Sequence, residues 1–174
     1  MAYTKLIYHI VFRPHANRPV IDEAHERELY MFILGFCRNH QCVLYRIGGM
    51  PDHVHLCVGL HPTIAVASFV HDLKNATGNF MRSRPELFPM FDRWESSYGA
   101  FTYAEADKEQ LVEYIKNQKE HHKRVSTRDE MRAILDEFGI EYDEIYSSVR
   151  GYWATPSMFP TASDSVGRSS THGY

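Results

Sequence analysis

Residues 41–60, QCVLYRIGGMPDHVHLCVGL, decide the fold. Gln41 to Gly49 is rich in β-branched and aromatic residues and ends on paired glycines, and it reads as a strand. Met50 to Leu60 follows after a short turn as a second strand, so the two form a hairpin. Side chains two apart on a strand share a face. Val54, Leu56 and Val58 therefore point one way, toward a core, while His53 and His55 stand side by side on the other face, which helices on one side of the sheet would leave uncovered.

Upstream, Lys5–Phe12 (KLIYHIVF) alternates as a first strand. Leu29, Phe32, Ile33 and Phe36 fall at helical spacing behind Asp22, which is expected to be the N-cap of helix one. Downstream, HPTIAVASFVHDLKNATGNFMRS (61–83) reads as helix two and YGAFTYA (98–104) as a fourth strand. EADKEQLVEYIKNQKEHHKR (105–124) reads as one continuous helix three, with acids at its start and bases at its end as the helix dipole prefers. TRDEMRAILDEFGI (127–140) is a shorter helix four, with Thr127 as cap and Gly139 at its C-terminal side. The order β-α-β-β-α-β is the ferredoxin-like, RRM-like plan. It is an α+β fold with a four-stranded antiparallel sheet, helices on one face, and here an added C-terminal helix carrying Tyr114. Residues 1–146 are expected to form one domain. Residues 147–174, rich in Ser, Thr, Pro and Gly without periodicity, are expected to be a flexible tail.

With 174 residues, 44% hydrophobic and 24% charged, the chain has the balance of an ordinary globular domain. No stretch reaches the ~18 apolar residues of a membrane span. The apolar N-terminus is broken by Lys5 and His9 and lacks a small-residue cleavage site, so a cytoplasmic protein is expected. Three cysteines (Cys37, Cys42, Cys57), an odd number without CxxC spacing, argue against a disulfide framework and a structural zinc site. A net charge of −3 and a pI near 6.4 give no global signal for nucleic acid, so any such contact must use a local basic patch.

The histidine pair has two readings. In the first, one histidine packs in the core on a backbone partner while the other sits at the strand end; in the second, both hold a metal ion whose third ligand comes from elsewhere. Because Val54, Leu56 and Val58 claim the core face, the second reading gains weight. Helix three poses a similar choice. Leu111, Tyr114, Ile115 and Gln118 form one stripe, which fits a core face, but Gln118 closes that stripe with an amide. Tyr114 and Gln118, four apart, would lie adjacent on that face. A tyrosine hydroxyl beside a neutral oxygen ligand suits metal-assisted attack on a phosphate.

GGMPDHVHLCVGL, followed by SSYGAFTYAEADKEQLVEYIKNQKEHH, resembles the HUH single-tyrosine transposases of the smallest bacterial insertion sequences. YHIVFRPHANRPVI and EFGIEYDEIY also look family-like, so the resemblance runs from Met1 to Tyr146. It implies that His53 and His55 are metal ligands, that Gln118 is the third, and that Tyr114 is the nucleophile. It further implies Mg²⁺ or Mn²⁺, a single-stranded DNA substrate with subterminal hairpins, and a 5′-phosphotyrosine intermediate beside a free 3′-OH. The enzymes of this family work as homodimers in which a tyrosine helix can serve its own or the partner's histidines, and the joint would be Tyr103–Asp107. Only about one phenol in a thousand is ionised at neutral pH, so Tyr114 needs help to attack.

A local basic surface near this set would meet DNA. Lys116, Lys119 and Lys123 lie on helix three, Lys74 on helix two, and Arg13 follows the first strand. Dipole complementation and a solvated face explain the helix bases equally well. His121 and His122 are expected to face solvent or a phosphate. Three other readings are a host-adapted relative that processes chromosomal hairpins, a non-catalytic nucleic-acid-binding ferredoxin-like module, and a two-histidine phosphodiesterase. The last needs two H-x-(Ser/Thr) motifs, and HVHL (53–56) is not one.

Overall fold

A computed structural model describes residues 3–142. The expected boundary at Tyr146 and the segment 147–174 lie outside them. Four strands, β1 (Ile7–Phe12), β2 (Val43–Met50), β3 (His53–Gly59) and β4 (Gly99–Tyr103), form one antiparallel sheet in the order β2-β3-β1-β4. Helices α1 (Glu26–Asn39) and α2 (Val66–Arg82) are the crossovers, so the βαββαβ plan holds. After β4 come α3 (Lys108–Lys116), the single turn α4 (Gln118–His121) and α5 (Thr127–Glu137).

Alternation along the central strands builds the two faces. Val54, Leu56 and Val58 of β3 join Ile10 and Phe12 of β1 in the main core, against Leu29, Ile33 and Cys37 of α1 and Phe69, Val70 and Leu73 of α2. Each such side chain removed from water contributes roughly 1.5–3 kcal/mol. The opposite face carries Ile7, His9 and Val11 of β1 with His53, His55 and Cys57 of β3. Here the sequence-based expectation needs correcting, because this face is covered. Leu111 and Ile115 of α3 pack on Ile7 and Cys57, while Met131, Ile134 and Leu135 of α5 pack on Val11 and Phe101.

Helix boundaries also differ from expectation. The helix read as continuous over 105–124 begins with a 3₁₀ turn (Glu105–Asp107) and breaks at Asn117, whose φ of −93° and ψ of 13° leave the helical region. Asn117 N–H still bonds back to the Glu113 and Tyr114 carbonyls, which closes α3 as a tight final turn. The cap of α5 is Ser126 and not Thr127: Ser126 Oγ accepts from Asp129 N–H at 3.2 Å. Helix α1 starts at Glu26, and Asp22 closes a local turn by accepting from Ala24 N–H at 2.8 Å.

Candidate active site

Strand β3 places His53 and His55 on the face beneath α3, α4 and α5, where both are buried. Each has its Nδ1 engaged. His53 Nδ1 meets the Asp52 carboxylate at 2.8 Å and must carry the proton there, which leaves the Nε2 lone pair free. Asp52 is steadied by Thr127 Oγ1, which donates to its other oxygen at 3.1 Å. Burial favours the neutral acid of Asp52, but the hydrogen bonds from His53 and Thr127 outweigh it and lower its pKa. His55 Nδ1 lies 2.8 Å from Nε2 of His9, a fully buried residue of β1. Burial pushes His55 down to about 4 and His9 well below its ordinary value, so both rings are neutral. With a proton on His55 Nδ1 donated to His9, the His55 Nε2 is also a free lone pair. Ring nitrogens oriented through their far side in this way are the usual support of a metal-binding histidine.

The break at Asn117 does not separate Tyr114 from Gln118. Both reach one carboxylate, Glu130 of α5. Tyr114 donates its hydroxyl to Glu130 Oε1, and Gln118 Nε2 donates to the same oxygen at 2.8 Å. The reversed amide would set its oxygen against a carboxylate, so Gln118 Oε1 is the free end, buried and without a partner. Glu130 Oε2 lies 3.6 Å from Nε2 of His53, 3.6 Å from Nε2 of His55 and 3.0 Å from Nε2 of His122. The Tyr114 ring stands edge-on to both His55 and His9, with centroids 6.0 Å away in each case.

His122 also departs from expectation: its side chain is only 4% exposed. Its Nδ1 faces the Val125 carbonyl at 2.9 Å and its Nε2 the Glu130 carboxylate, so two acceptors require two N–H groups and an imidazolium. Burial opposes this charge, but Glu130 overrides it and raises the His122 pKa. Burial likewise opposes ionisation of Glu130, yet hydrogen bonds from His122 and Tyr114 hold its carboxyl far below the usual range. Burial, and then the charge of Glu130, push the Tyr114 phenol well above its ordinary value.

His53, His55 and Glu130 offer one ligand atom each within 4.8 Å of one another and could hold a metal ion. The two histidine Nε2 atoms and Gln118 Oε1 are buried without partners, as expected of donors built for a cation. The sequence reading missed Glu130, His9 and Asp52. Glu130 lay open to it only as an acid sharing a stripe with Ile134 four residues on.

The basic residues fall elsewhere. Arg13 is buried and donates to Asn17. Lys74, across the sheet on α2, bonds the Ser96 carbonyl at 2.8 Å. Lys116 pairs with Glu113, Lys119 with Glu23 and Glu26, and Lys123 with Glu120.

Among the described residues no helix is long and apolar enough to cross a membrane. The family model "Transposase IS200 like" matches residues 2–118, a stretch that contains His53, His55, Tyr114 and Gln118 and stops before Glu130. The ISDra2 transposase TnpA of Deinococcus radiodurans is 36% identical over 73 residues, which is 40% of this chain and 52% of that protein. The match thus spans about half the length of that relative. A solved chain from Deinococcus radiodurans R1, described as a candidate transposase, superposes with a TM-score of 0.54 at 27% identity. The superposition covers 67% of this chain and 93% of that one. A REP-associated tyrosine transposase bound to a REP hairpin also gives 0.54, at 15% identity over 72% of this chain and 73% of that chain, and shows the shared fold. With well over half its residues matched by the family model and the histidine pair and tyrosine helix inside the match, the chain belongs to the IS200-like transposase family.

Proposed function

We propose that this chain cleaves and rejoins single-stranded DNA, with Tyr114 as nucleophile and a divalent metal held by His53, His55 and Gln118. One observation carries the reading: the Tyr114 hydroxyl, the Gln118 amide and the unpartnered Nε2 atoms of both histidines converge on one buried carboxylate. When bound, the metal supplies Lewis-acid polarisation of the scissile phosphate. Glu130 adds a negative oxygen to what would otherwise be a neutral ligand set, which favours a hard ion such as Mg²⁺ or Mn²⁺.

The chain's own residues do the rest. Asp52 and His9 fix the histidine rings, so little reorganisation is needed at the moment of reaction. Glu130 holds the Tyr114 hydroxyl and is its nearest proton acceptor. As the Tyr114 oxygen bonds to phosphorus, its proton passes to Glu130 Oε1 and the bond to the 3′ oxygen breaks. That oxygen takes up a proton and ends as a 3′-hydroxyl, with the 5′ phosphate on Tyr114. One phosphodiester replaces another, so rejoining needs no nucleotide energy source. A substrate with subterminal hairpins is supported by the hairpin-bound neighbour of the same fold. A cytoplasmic homodimer belongs to the same reading, although one chain already joins its tyrosine to its own histidines.

The test is incubation of the protein with 3′-labelled single-stranded hairpin DNA and Mn²⁺, followed by denaturing gels. Wild type should give a covalent adduct and Tyr114→Phe none. His53→Ala should lose the adduct while keeping hairpin binding. An adduct that persists in Tyr114→Phe removes Tyr114 as nucleophile. No adduct from wild type, with hairpin binding unchanged in Tyr114→Phe, would favour the non-catalytic module.

A further inference from the structure

A cavity of about 650 Å³ opens directly beside the Tyr114 hydroxyl, between β4, α3 and α5. That volume lies within the ~300–1,000 Å³ typical of small-ligand sites. Two of its walls are aromatic: Tyr103, whose ring lies 5.6 Å from that of Phe138, and Phe138 itself, braced on Phe101 at 4.8 Å. Leu111 and Ile134 supply apolar surface. Its charged groups away from the Glu130 cluster are two carboxylates, Asp107 and Glu137, joined by the Gln110 amide, and among the described residues no Lys or Arg lines it. Burial, followed by the charges of Glu137 and Asp107, pushes the Tyr103 phenol up to about 12. His9, also on the wall, is fully buried and its Nδ1 has no partner. Because its Nε2 accepts from His55, that nitrogen carries a proton and would donate to a ring nitrogen or carbonyl of a bound base.

We infer that this cavity is a pocket for the nucleobase flanking the scissile phosphate, and that it selects a base bearing an exocyclic amino group over thymine. The inference rests on the single-strand DNA reading above. Flat aromatic walls suit the face of a base, which every base offers. The carboxylates would repel a phosphate, so the backbone must stay at the Tyr114 mouth while the neutral base enters. Along its wall, the Asp107 and Glu137 carboxylates and the Gln110 amide oxygen accept from N–H donors. Adenine, cytosine and guanine carry an amino group for them, whereas thymine has none, and its one donor, N3–H, lies between two carbonyls that the carboxylates repel.

The test is fluorescence anisotropy with labelled octamers of deoxycytidine, deoxyadenosine and thymidine, in EDTA so that no cleavage intervenes. It uses the full chain and the Asp107→Asn/Glu137→Gln double variant, whose two sites are solvent-exposed and outside the catalytic set. Wild type should bind the cytosine and adenine octamers at least about fivefold tighter than the thymine octamer. In the double variant that ratio should fall below about twofold, a change that the general gain in affinity from removing two negative charges cannot produce. Equal affinities in wild type, or a preference that the double variant keeps, overturn the pocket. If this occurs while the Tyr114 adduct still forms on hairpin DNA, only the pocket falls. If no octamer binds and no adduct forms, both readings fall together.

Discussion

Glu130 is the residue on which the site turns. It is 3% exposed and ionised, a costly state unless its oxygens are fully engaged, and here they are. Its strongest partner is the His122 imidazolium. Removing one member of such a buried pair leaves the other charge stranded, so Glu130→Ala is expected to lower stability by about 3–5 kcal/mol. Glu130→Gln retains an oxygen for Tyr114 and lets His122 go neutral, with a smaller expected loss of about 1–3 kcal/mol. Urea unfolding of the two variants checks both values, and a Glu130→Ala protein as stable as wild type would mean the carboxylate ties nothing together. The contrast with the histidines shows what a sequence can reveal. His53 and His55 are legible because a strand has period two and three aliphatic neighbours fix which face is core. An acid in the first turn of a helix has an ordinary explanation in the helix dipole. Only the tertiary docking of α5 against β3 turns Glu130 into something else.

At the level of elements, the position of α3 is set by a glycine. Gly48 of β2 pairs with His55 across the hairpin, and a Cβ there would lie 2.6 Å from the Ile115 carbonyl oxygen. The helix backbone rests on the strand where a side chain is missing, one residue beyond Tyr114. Gly48→Ala must push α3 away, at an overpacking cost of about 1–3 kcal/mol. It should also slow adduct formation, because the Tyr114 hydroxyl moves with the helix. Unfolding midpoints and adduct rates measured side by side test this, and an unchanged rate would show that α3 shifts along a direction the site tolerates. The sequence showed the paired glycines as a strand end but could not show what comes to rest on them. It also concealed the break at Asn117. The apolar stripe of α3 runs on to Gln118 without a change of phase, and asparagine is a weaker interruption than proline or glycine. Thr127 looked like a cap because it stands at the start of a helical pattern. Its hydroxyl is instead spent on Asp52, tying α5 to the turn that orients His53.

On the scale of the molecule, the sheet is covered twice, by α1 and α2 on one face and by α3 to α5 on the other, and β3 is buried almost throughout. The proposed metal would therefore bind inside the second layer and bridge strand to helix. A ligand that binds only the folded chain stabilises it by RT ln(1 + [L]/Kd), about 2.7 kcal/mol at a hundredfold excess over Kd. For a chain of this length about 1 kcal/mol shifts Tm by roughly 2–4 °C. Saturating Mn²⁺ should then raise Tm by roughly 5–10 °C. EDTA should reverse the shift and His53→Ala should lack it; an equal shift in His53→Ala would place the ion elsewhere. The same measurement separates the two candidates for the third ligand. Glu130 Oε2 already lies 3.6 Å from both histidine Nε2 atoms, whereas Gln118 Oε1 is buried without a partner and held by the bond its own amide makes to Glu130. If Gln118 completes the set, Gln118→Ala should abolish the Mn²⁺ shift and Glu130→Gln should weaken it. Abolition by Glu130→Gln alone would make the carboxylate the ligand and leave Gln118 as the residue that positions it.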